Sequence, residues 1–397
     1  MSGTPDALAH VKVVEFGGYA AGPHVGKVLA NFGATVVHVE SAARPDGFRL
    51  EYPPYRDGKP GVNRSGCFAF FNDSKFDVTL DLKHAAGHEL ARRLIDWCDV
   101  VVENMRPGVM ERLGLGFETV AATNPALVML STCNMGQTGP RAETPGFGSQ
   151  LSSLAGFCGV AGEREGSPML LYGPYIDFIA STMATSAVLA ALDNRKRTGK
   201  GAWLDISQYE TGLHFMAGAL LDFHDNGTVA ERCGNEDREA APHGAYACAG
   251  DRWIALSCWS DDEFAALAEV LGFETAKARR DGAVELDAAL PPFFETWDAD
   301  DLAAVLQARG VAAYAVNTIA DLFEDPQLAE RGVWQTRRHP EIGDQNYCLP
   351  GFDLSETPGR VTRAAPLLGA DNDRVFKEFL GLPDGEFGSY RDRKVFG

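Results

Sequence analysis

Asp177 is the residue in this chain whose surroundings best suit covalent chemistry. It stands just before residues 178–192, which are small or apolar and contain neither Gly nor Pro, a pattern typical of a helix packed on most of its surface. Gly173 and Pro174 break regular structure just upstream, so the carboxylate is expected at the N-terminus of that helix. The positive end of the helix dipole would keep the carboxylate ionised and available as a nucleophile near neutral pH. The alternative role is a structural N-cap, which contributes about 1 kcal/mol to a helix.

The residues that follow this helix carry a recognisable signature. Residues 195–201 read Arg-Lys-Arg-Thr-Gly-Lys-Gly and come shortly after Ala191-Leu192, and residues 203–207 are predicted to form a strand. This combination resembles the class III CoA-transferases, the family of the formyl-CoA:oxalate and crotonobetainyl-CoA:carnitine CoA-transferases. In that family a catalytic Asp precedes a helix that ends in "AL..R..TGkG". Counting back from Arg195 leads to Asp177, so the resemblance implies that Asp177 is catalytic.

Further matches extend the resemblance over residues 10–383. A predicted strand–helix–strand unit near the N-terminus contributes Ala21-Gly22-Pro23, Gly33-Ala34 and Glu40. A segment that follows a predicted buried strand contributes Asn104 to Gly108 with Arg112, and a glycine-rich loop contributes Gly136 to Pro140. The turn in the first unit, residues 17–22, does not match the G-x-G-x-x-G fingerprint of dinucleotide-binding proteins. A dehydrogenase is therefore disfavoured.

The resemblance also implies which residues surround the ligands. Those expected beside coenzyme A, which enters as the acyl-CoA co-substrate, are Ala20, Ala21, Arg44, Arg49, Lys75, Asn104, Met105, Arg106, Arg112 and Gly136. Gln150, Tyr172 and Tyr175 are expected to line the substrate pocket, where the two tyrosines indicate an acceptor acid larger than oxalate. For the arginines the alternative is a solvated loop or a surface ion pair. The chemistry calls for no metal.

The implied reaction moves CoA from an acyl-CoA donor to a free carboxylic acid through an aspartyl-CoA thioester on Asp177. Two alternatives stay open. The first is a 2-methylacyl-CoA racemase or isomerase on the same fold, which the lack of His and Asp between residues 131 and 160 opposes. The second is a non-catalytic acyl-CoA-binding subunit of a heteromeric transferase. Ser41 and Phe76 stand where the family often has basic residues, which keeps the second alternative open, and Gly148 stands where it frequently has Asp.

Composition limits the classes of partner. The chain has 397 residues and a formal net charge of −19, which argues against nucleic acid or an anionic membrane as the main partner. No apolar run reaches 18 residues, which predicts that no segment spans a membrane. The eight cysteines lack the spacing of a zinc site, and no signal peptide is visible, so we expect free thiols in a reducing cytoplasm.

The length and the order of predicted elements indicate an α/β fold with two domains. We expect a Rossmann-like large domain that begins with residues 1–224, a smaller α+β domain at residues 225–330, and a segment at 331–397 that returns to the large domain. The resemblance implies an interlocked dimer, formed either by two copies of this chain or with a paralogous subunit. The acyl-CoA and a small carboxylic acid are the expected ligands.

Overall fold

The structure is a computed structural model that describes residues 6–274, 279, 286 and 288–397. Its internal contacts divide the chain into two compact units. The first unit comprises Met1–Phe157, Leu170–Asn226 and Arg331–Gly397, and the second comprises Cys158–Met169 and Gly227–Glu330. The elements that carry the predicted site residues all belong to the first unit.

A parallel sheet of six strands forms the centre of the first unit. The strands are β1 (Lys12–Phe16), β2 (Thr35–Glu40), β3 (Phe76–Thr79), β4 (Val100–Glu103), β5 (Val128–Cys133) and β6 (Ala202–Ser207). Their order across the sheet is β3-β2-β1-β4-β5-β6. The order reverses between β1 and β4, and in open α/β sheets ligands bind outside the carboxyl ends of the strands at such a point. The predicted α/β class is confirmed.

The valine-rich runs of the sequence form these strands because both faces of the sheet are covered. Adjacent residues of β1 point to opposite faces, so Val13 and Val14 enter two different hydrophobic clusters. One cluster contains Leu90 and Leu94, and the other contains Leu29. All four residues of β4 are buried. The parallel sheet, with the carboxyl ends of its strands, is thereby held between two apolar layers.

Eleven α-helices lie within residues 21–226. They are α1 (Ala21–Asn31), α2 (Gly47–Leu50), α3 (Gly66–Asn72), α4 (Ala85–Trp97), α5 (Val109–Arg112), α6 (Phe117–Val120), α7 (Gly148–Leu154), α8 (Phe157–Val160), α9 (Tyr175–Thr198), α10 (Gln208–Leu213) and α11 (Ala217–Asn226). Helix α9 packs against α1, α7 and α10 and also contacts β5 and β6. It is the element that carries Asp177.

Helix α9 is longer at both ends than the predicted span of 178–192. It starts directly after Pro174 and runs to Thr198, where Gly199 closes it in the left-handed conformation with φ of 72°. The basic residues 195–197 lie in its last turn. Their charges favour the negative end of the helix dipole, so they extend the helix where the apolar pattern has already ended.

The lack of an uninterrupted apolar run of 18 residues does not by itself exclude a membrane-spanning helix. By length and composition α9 is apolar enough to span a membrane, since an 18-residue window in it has a mean hydropathy of 1.5. Of that window, 44% is buried inside the protein. A core helix of this kind satisfies the same criterion, and α9 packs on the sheet of the first unit.

The second unit contains a three-stranded antiparallel sheet in the order β7-β8-β9. Its strands are β7 (His243–Ala247), β8 (Trp253–Ser257) and β9 (Ala312–Ala315), and its described helices are α12 (Asp261–Leu271), α13 (Pro291–Phe294), α14 (Ala299–Ala308), α15 (Asp321–Glu324) and α16 (Pro326–Glu330). The Gly250-Asp251 pair between two short strand-like runs predicts a hairpin, which is present as β7 and β8. Phe264, Phe294 and Leu302 lie in its core.

The last segment of the chain adds a hairpin and a terminal helix to the first unit. The hairpin strands are β10 (Trp334–His339) and β11 (Gly343–Cys348), and α17 spans Asp384–Asp392. Val375, Phe376 and Phe387 belong to the same buried cluster as Val14 of β1. The end of the chain therefore completes one apolar layer of the parallel sheet.

Candidate active site

Asp177 lies in the first turn of α9 and keeps one carboxylate oxygen out of solvent. The residue as a whole is partly exposed, whereas its Oδ2 is buried and has no hydrogen-bond partner among the described residues. Burial raises the pKa of this carboxyl to about 6, while hydrogen bonds from its own N–H and from the Gln208 side chain act in the opposite direction. At pH 7 a group with that pKa is still about nine-tenths ionised. Asp177 therefore combines a desolvated carboxylate with the charge that a nucleophile needs.

The alternative role of Asp177 as an N-cap does not fit the geometry. Pro174 occupies the N-cap position and makes no side-chain cap hydrogen bond. The Asp177 N–H donates to the Pro174 carbonyl oxygen over 3.0 Å, which places Asp177 inside the first turn rather than before it. The raised pKa also differs from the expectation that the helix dipole dominates, because burial is the larger influence.

Gly148, the first residue of α7, lies directly against the Asp177 carboxylate. A Cβ atom on Gly148 would clash with Asp177 Oδ2 and would lie 3.2 Å from Pro174 Cα. Gly148 is buried, and its carbonyl oxygen accepts a hydrogen bond from Ser152 over 2.9 Å. Helix α7 therefore approaches the start of α9 as closely as it does because residue 148 has no side chain.

The three residues predicted for the substrate pocket are placed differently from one another. Gln150 Oε1 accepts a hydrogen bond from the Phe147 N–H over 3.1 Å, so its amide caps α7. Tyr175 is 45% exposed and meets Phe157 edge-on, with 6.0 Å between ring centroids. Tyr172 is fully exposed. The described part of the chain thus brings Gln150 and Tyr175 near the start of α9 but leaves Tyr172 free of packing.

Asn104 connects the two loops that flank the reversal of strand order. Its Oδ1 accepts from the Gly18 N–H over 3.1 Å, and its Nδ2 donates to the Gly18 carbonyl over 2.7 Å. A side chain on Gly17, whose φ is 123°, would overlap the Asn104 amide. The side-chain amide of Asn104 thus binds the backbone of the loop after β1. Asn104 therefore supports that loop, and its predicted place beside CoA stays a prediction.

Substituting Asn104 with Ala is expected to loosen the loop after β1. Gly18 would lose both partners, and an unsatisfied pair of backbone groups costs about 1–3 kcal/mol. We expect a lower free energy of unfolding by this amount and faster hydrogen exchange at the Gly18 amide. Arg106→Ala, a change at an exposed neighbour, serves as the control. Unchanged exchange at Gly18 in Asn104→Ala would contradict the assignment.

Five more of the residues predicted to lie beside CoA divide into buried and exposed positions. Ala20 and Ala21 are buried at the start of α1, and Met105 packs against the cluster that contains Val14. Arg106 is exposed. Arg44, in the loop after β2, is also exposed. Only the two arginines present charged groups to solvent.

Arg112 and the loop after β5 line an open cleft of about 480 Å³. Its lining residues are Pro107, Gly108, Arg112, Gln137, Thr138, Gly139, Pro140, Ala142 and Glu143. Gly136, next to this lining, takes φ of 84°, and the Gln137 N–H donates to both carboxylate oxygens of Asp205 over 3.0 Å. The structure therefore gathers Arg112 with the loop that contains Gly136. Asp177 does not line this cleft.

The prediction that Arg49 and Lys75 contact CoA phosphates does not fit the structure. Both side chains are completely buried. Arg49 pairs with Glu40 over 2.7 Å and with Asp77 over 3.2 Å. Lys75 pairs with Glu15 over 3.0 Å and donates to the Pro23 carbonyl over 2.8 Å. These cations neutralise acidic groups inside the first unit, so they are not available to a ligand.

Arg49 lies within a group of three side chains that could otherwise bind a metal ion. His38, Glu40 and Asp77 have ligand atoms within 4.8 Å of one another. The Arg49 guanidinium donates to both Glu40 and Asp77, so a cation already sits between the carboxylates. The donor set therefore does not fit a metal ion. The expectation that the reaction calls for no metal remains a prediction.

Sequence reasoning did not single out Gln208, Glu103 or the contact of Gly148. Gln208 is buried at the start of α10, and nothing in its sequence context marks it. Glu103 ends β4, and burial raises the pKa of its carboxyl to about 7. Gly148 did carry a signal, since it replaces a residue type that is frequent in the family, but its contact with Asp177 depends on the packing of α7 on α9.

Comparison with known proteins gives consistent results over nearly the whole chain. The sequence profile of CoA-transferase family III matches residues 8–372. The chain is 32% identical to succinyl-CoA–D-citramalate CoA-transferase of Chloroflexus aurantiacus, and the match covers 98% of each chain. It is 30% identical to the beta subunit of succinyl-CoA–L-malate CoA-transferase from the same organism, over 100% of both. A crystal structure of a CAIB/BAIF family protein from Brucella suis superimposes with a TM-score of 0.86 at 29% identity, covering 95% of this chain and 100% of that one.

Proposed function

The chain belongs to CoA-transferase family III, and we propose that it transfers CoA from an acyl-CoA donor to a free carboxylic acid through covalent intermediates on Asp177. The observation that carries this role is the Asp177 carboxylate itself. One of its oxygens is buried with no hydrogen-bond partner in the described part of the chain, and a carboxyl with a pKa of about 6 is mostly ionised at neutral pH. A partly desolvated anion at a helix start is suited to attack a thioester.

The transfer proceeds in balanced steps. The Asp177 carboxylate attacks the donor thioester carbonyl: a C–O bond forms, the C–S bond breaks, and the electron pair leaves with the CoA thiolate. The thiolate then attacks the aspartyl carbonyl of this mixed anhydride, which releases the donor acid as a carboxylate and leaves an aspartyl-CoA thioester. The acceptor carboxylate repeats the sequence in reverse and frees Asp177 as the new acyl-CoA forms.

The CoA phosphates are proposed to bind exposed cations rather than the buried ones. Arg112 faces the cleft described above, and Arg44 and Arg106 are exposed on loops at the carboxyl ends of β2 and β4. A guanidinium binds phosphate through charge-assisted hydrogen bonds. Such local positive charge is needed in a chain whose net charge is −19.

Arg112→Ala is expected to raise the KM for acyl-CoA about tenfold with a smaller change in kcat, because a lost phosphate contact removes about 1.4 kcal/mol of binding in both ground and transition states. Steady-state kinetics with varied acyl-CoA measure this. Arg197→Ala, at the exposed end of α9, is the matched control. An unchanged KM in Arg112→Ala would remove Arg112 from the CoA site.

We propose a dicarboxylic acid as acceptor and the CoA thioester of a different dicarboxylic acid as donor. The names of these relatives pair succinyl-CoA, the monothioester of a dicarboxylic acid, with D-citramalate or L-malate, which each carry two carboxyl groups. Incubation of the purified protein with succinyl-CoA and a panel of free acids, followed by chromatography of the CoA thioesters, tests the activity. New acyl-CoA species are expected. Epimerisation of a 2-methylacyl-CoA without exchange would favour the racemase alternative instead.

Assembly into a dimer is a further part of the proposal. All ten residues of α11 are described and none is buried. Leu220, Leu221 and Phe223 of this helix are between 49% and 61% exposed. Contiguous apolar surface of this kind is typical of an interface. A second copy of this chain or a paralogous subunit would cover it, since one relative is named as a beta subunit.

The cellular location is proposed to be the cytoplasm. All eight cysteines are free, and most are buried. Free buried thiols are usual where the environment is reducing.

A further inference from the structure

We propose that Gly148 is a positioning residue for the nucleophile: its missing side chain leaves a niche at the junction of α7 and α9, in which Asp177 Oδ2 has no hydrogen-bond partner among the described residues. The niche is formed by Gly148 and the backbone of Pro174. Oδ2 is buried there. The inference rests on the proposed function, because it assigns the niche a role in the attack of Asp177 on the thioester.

Position 148 requires glycine because of the space around it and not because of its backbone conformation. Gly148 does not have a positive φ, so its backbone conformation does not require glycine. What requires glycine is space, since a Cβ would clash with Oδ2. The atom in conflict is the end of a rotatable side chain, so an alanine at this position would be accommodated by turning the Asp177 carboxylate out of the niche.

Among the described residues, no cation shifts the pKa of Asp177. The groups that do shift it are its own backbone N–H and the side chain of Gln208, and neither carries a positive charge. The described titratable residues on the elements packed against α9 are His24 and Lys27 of α1, Cys133 of β5, Asp205 of β6, and Tyr209 and Glu210 of α10. Helix α7 carries none. Burial without a counter-charge is thus what raises the pKa to about 6.

This arrangement favours acylation of Asp177 for a physical reason. In the resting enzyme the niche holds part of a negative charge away from water, which is costly. When Oδ1 forms the C–O bond to the acyl carbon and the thiolate departs with the electron pair of the C–S bond, the aspartyl group becomes neutral and Oδ2 becomes a carbonyl oxygen. The cost of the buried charge is thereby relieved in the acylated state. The niche destabilises the free carboxylate and not the intermediate.

Gly148→Ala tests the inference, with Gly146→Ala as the matched control. A Cβ on Gly146 would meet nothing closer than 3.5 Å, so the control adds the same methyl group without a clash. The first measurement is infrared difference spectroscopy of each protein against its Asp177→Asn counterpart, which follows the carboxylic acid band of Asp177 as the pH falls. Wild type and Gly146→Ala are expected to titrate near pH 6, and Gly148→Ala nearer the ordinary value of 3.8.

The second measurement is the single-turnover rate of Asp177 acylation at pH 8 with succinyl-CoA. The carboxylate is fully ionised in all variants at that pH, so a rate at least about tenfold lower in Gly148→Ala isolates the effect of the niche. The inference is overturned if Asp177 of the wild-type protein titrates with a midpoint near pH 4. It is also overturned if a folded Gly148→Ala protein keeps both the wild-type titration midpoint and the wild-type acylation rate. If Gly148→Ala does not fold, the titration midpoint of wild-type Asp177 alone decides between these outcomes. A wild-type midpoint near 6 with no acylation by any donor supports the niche and overturns the proposed function.

Discussion

Asp177→Asn is expected to lower kcat for CoA transfer by at least about 10³-fold, the largest effect on activity of any single substitution in this chain. An amide of the same size keeps the contacts of α9 but cannot form the anhydride that the proposed mechanism requires. The fold should be preserved or stabilised, because the substitution removes the charge of a carboxyl group whose pKa is raised to about 6 by burial. Formation of product acyl-CoA with succinyl-CoA as donor measures the loss.

Asp193→Asn is the matched control for this variant. Asp193 lies on the same helix, and its side chain is 68% exposed in an ion pair with Arg197. We expect its transfer rate to stay within about twofold of wild type, because an exposed helix ion pair contributes only about 0.3–0.5 kcal/mol. If Asp177→Asn retained a tenth or more of the wild-type rate, Asp177 would not be the nucleophile.

Arg49→Ala is expected to reduce the free energy of unfolding by about 3–5 kcal/mol, the largest effect on stability. Arg49 neutralises Glu40 and Asp77 in a fully buried site and stacks on Phe68, with its guanidinium carbon 3.5 Å from the ring centroid. Burial and the nearby Glu40 carboxylate raise the pKa of Asp77 well above its usual range, and the Arg49 guanidinium acts in the opposite direction. Without the guanidinium the Glu40 charge would lose its main cation.

Chemical denaturation of Arg49→Ala and Arg44→Ala separates structural arginines from ligand-binding ones. Arg44 is exposed, so its removal is expected to change stability by less than about 0.5 kcal/mol. The KM for acyl-CoA is expected to rise in Arg44→Ala and to stay unchanged in Arg49→Ala, whereas the loss of stability is expected in Arg49→Ala alone. A stable Arg49→Ala protein with a raised KM for acyl-CoA would restore Arg49 to the phosphate site and contradict the buried assignment.

The sequence predicted the elements of the parallel sheet well because their physical signal is local. Residues 100–102 are all Val, and the structure buries them together with Glu103 as β4. The class of fold, the start of α9 near Asp177 and the hairpin of the second unit follow from patterns of this kind. The family signature added the identity of the candidate nucleophile, which the residue types alone did not distinguish from a helix cap.

The misassigned cations show where local patterns stop being informative. A lysine or arginine in a polar stretch is usually exposed, and nothing near Lys75 indicates that it is buried. Its partner Glu15 is 60 residues away in the sequence and lies on β1. The contact of Gly148 with Asp177 joins residues on two helices in the same way. Pairings of this kind are set by the packing of distant elements, so they became visible only in three dimensions.

The central claim is that Asp177 carries the covalent intermediates, and trapping tests it most directly. The wild-type protein is incubated with succinyl-CoA and other acyl-CoA donors, quenched with hydroxylamine or borohydride, and digested for peptide mass spectrometry. We expect a mass change on the peptide that contains Asp177, present in Asp193→Asn and absent in Asp177→Asn. Transfer of CoA to an acceptor acid with Asp177 unmodified at every time point would contradict the account.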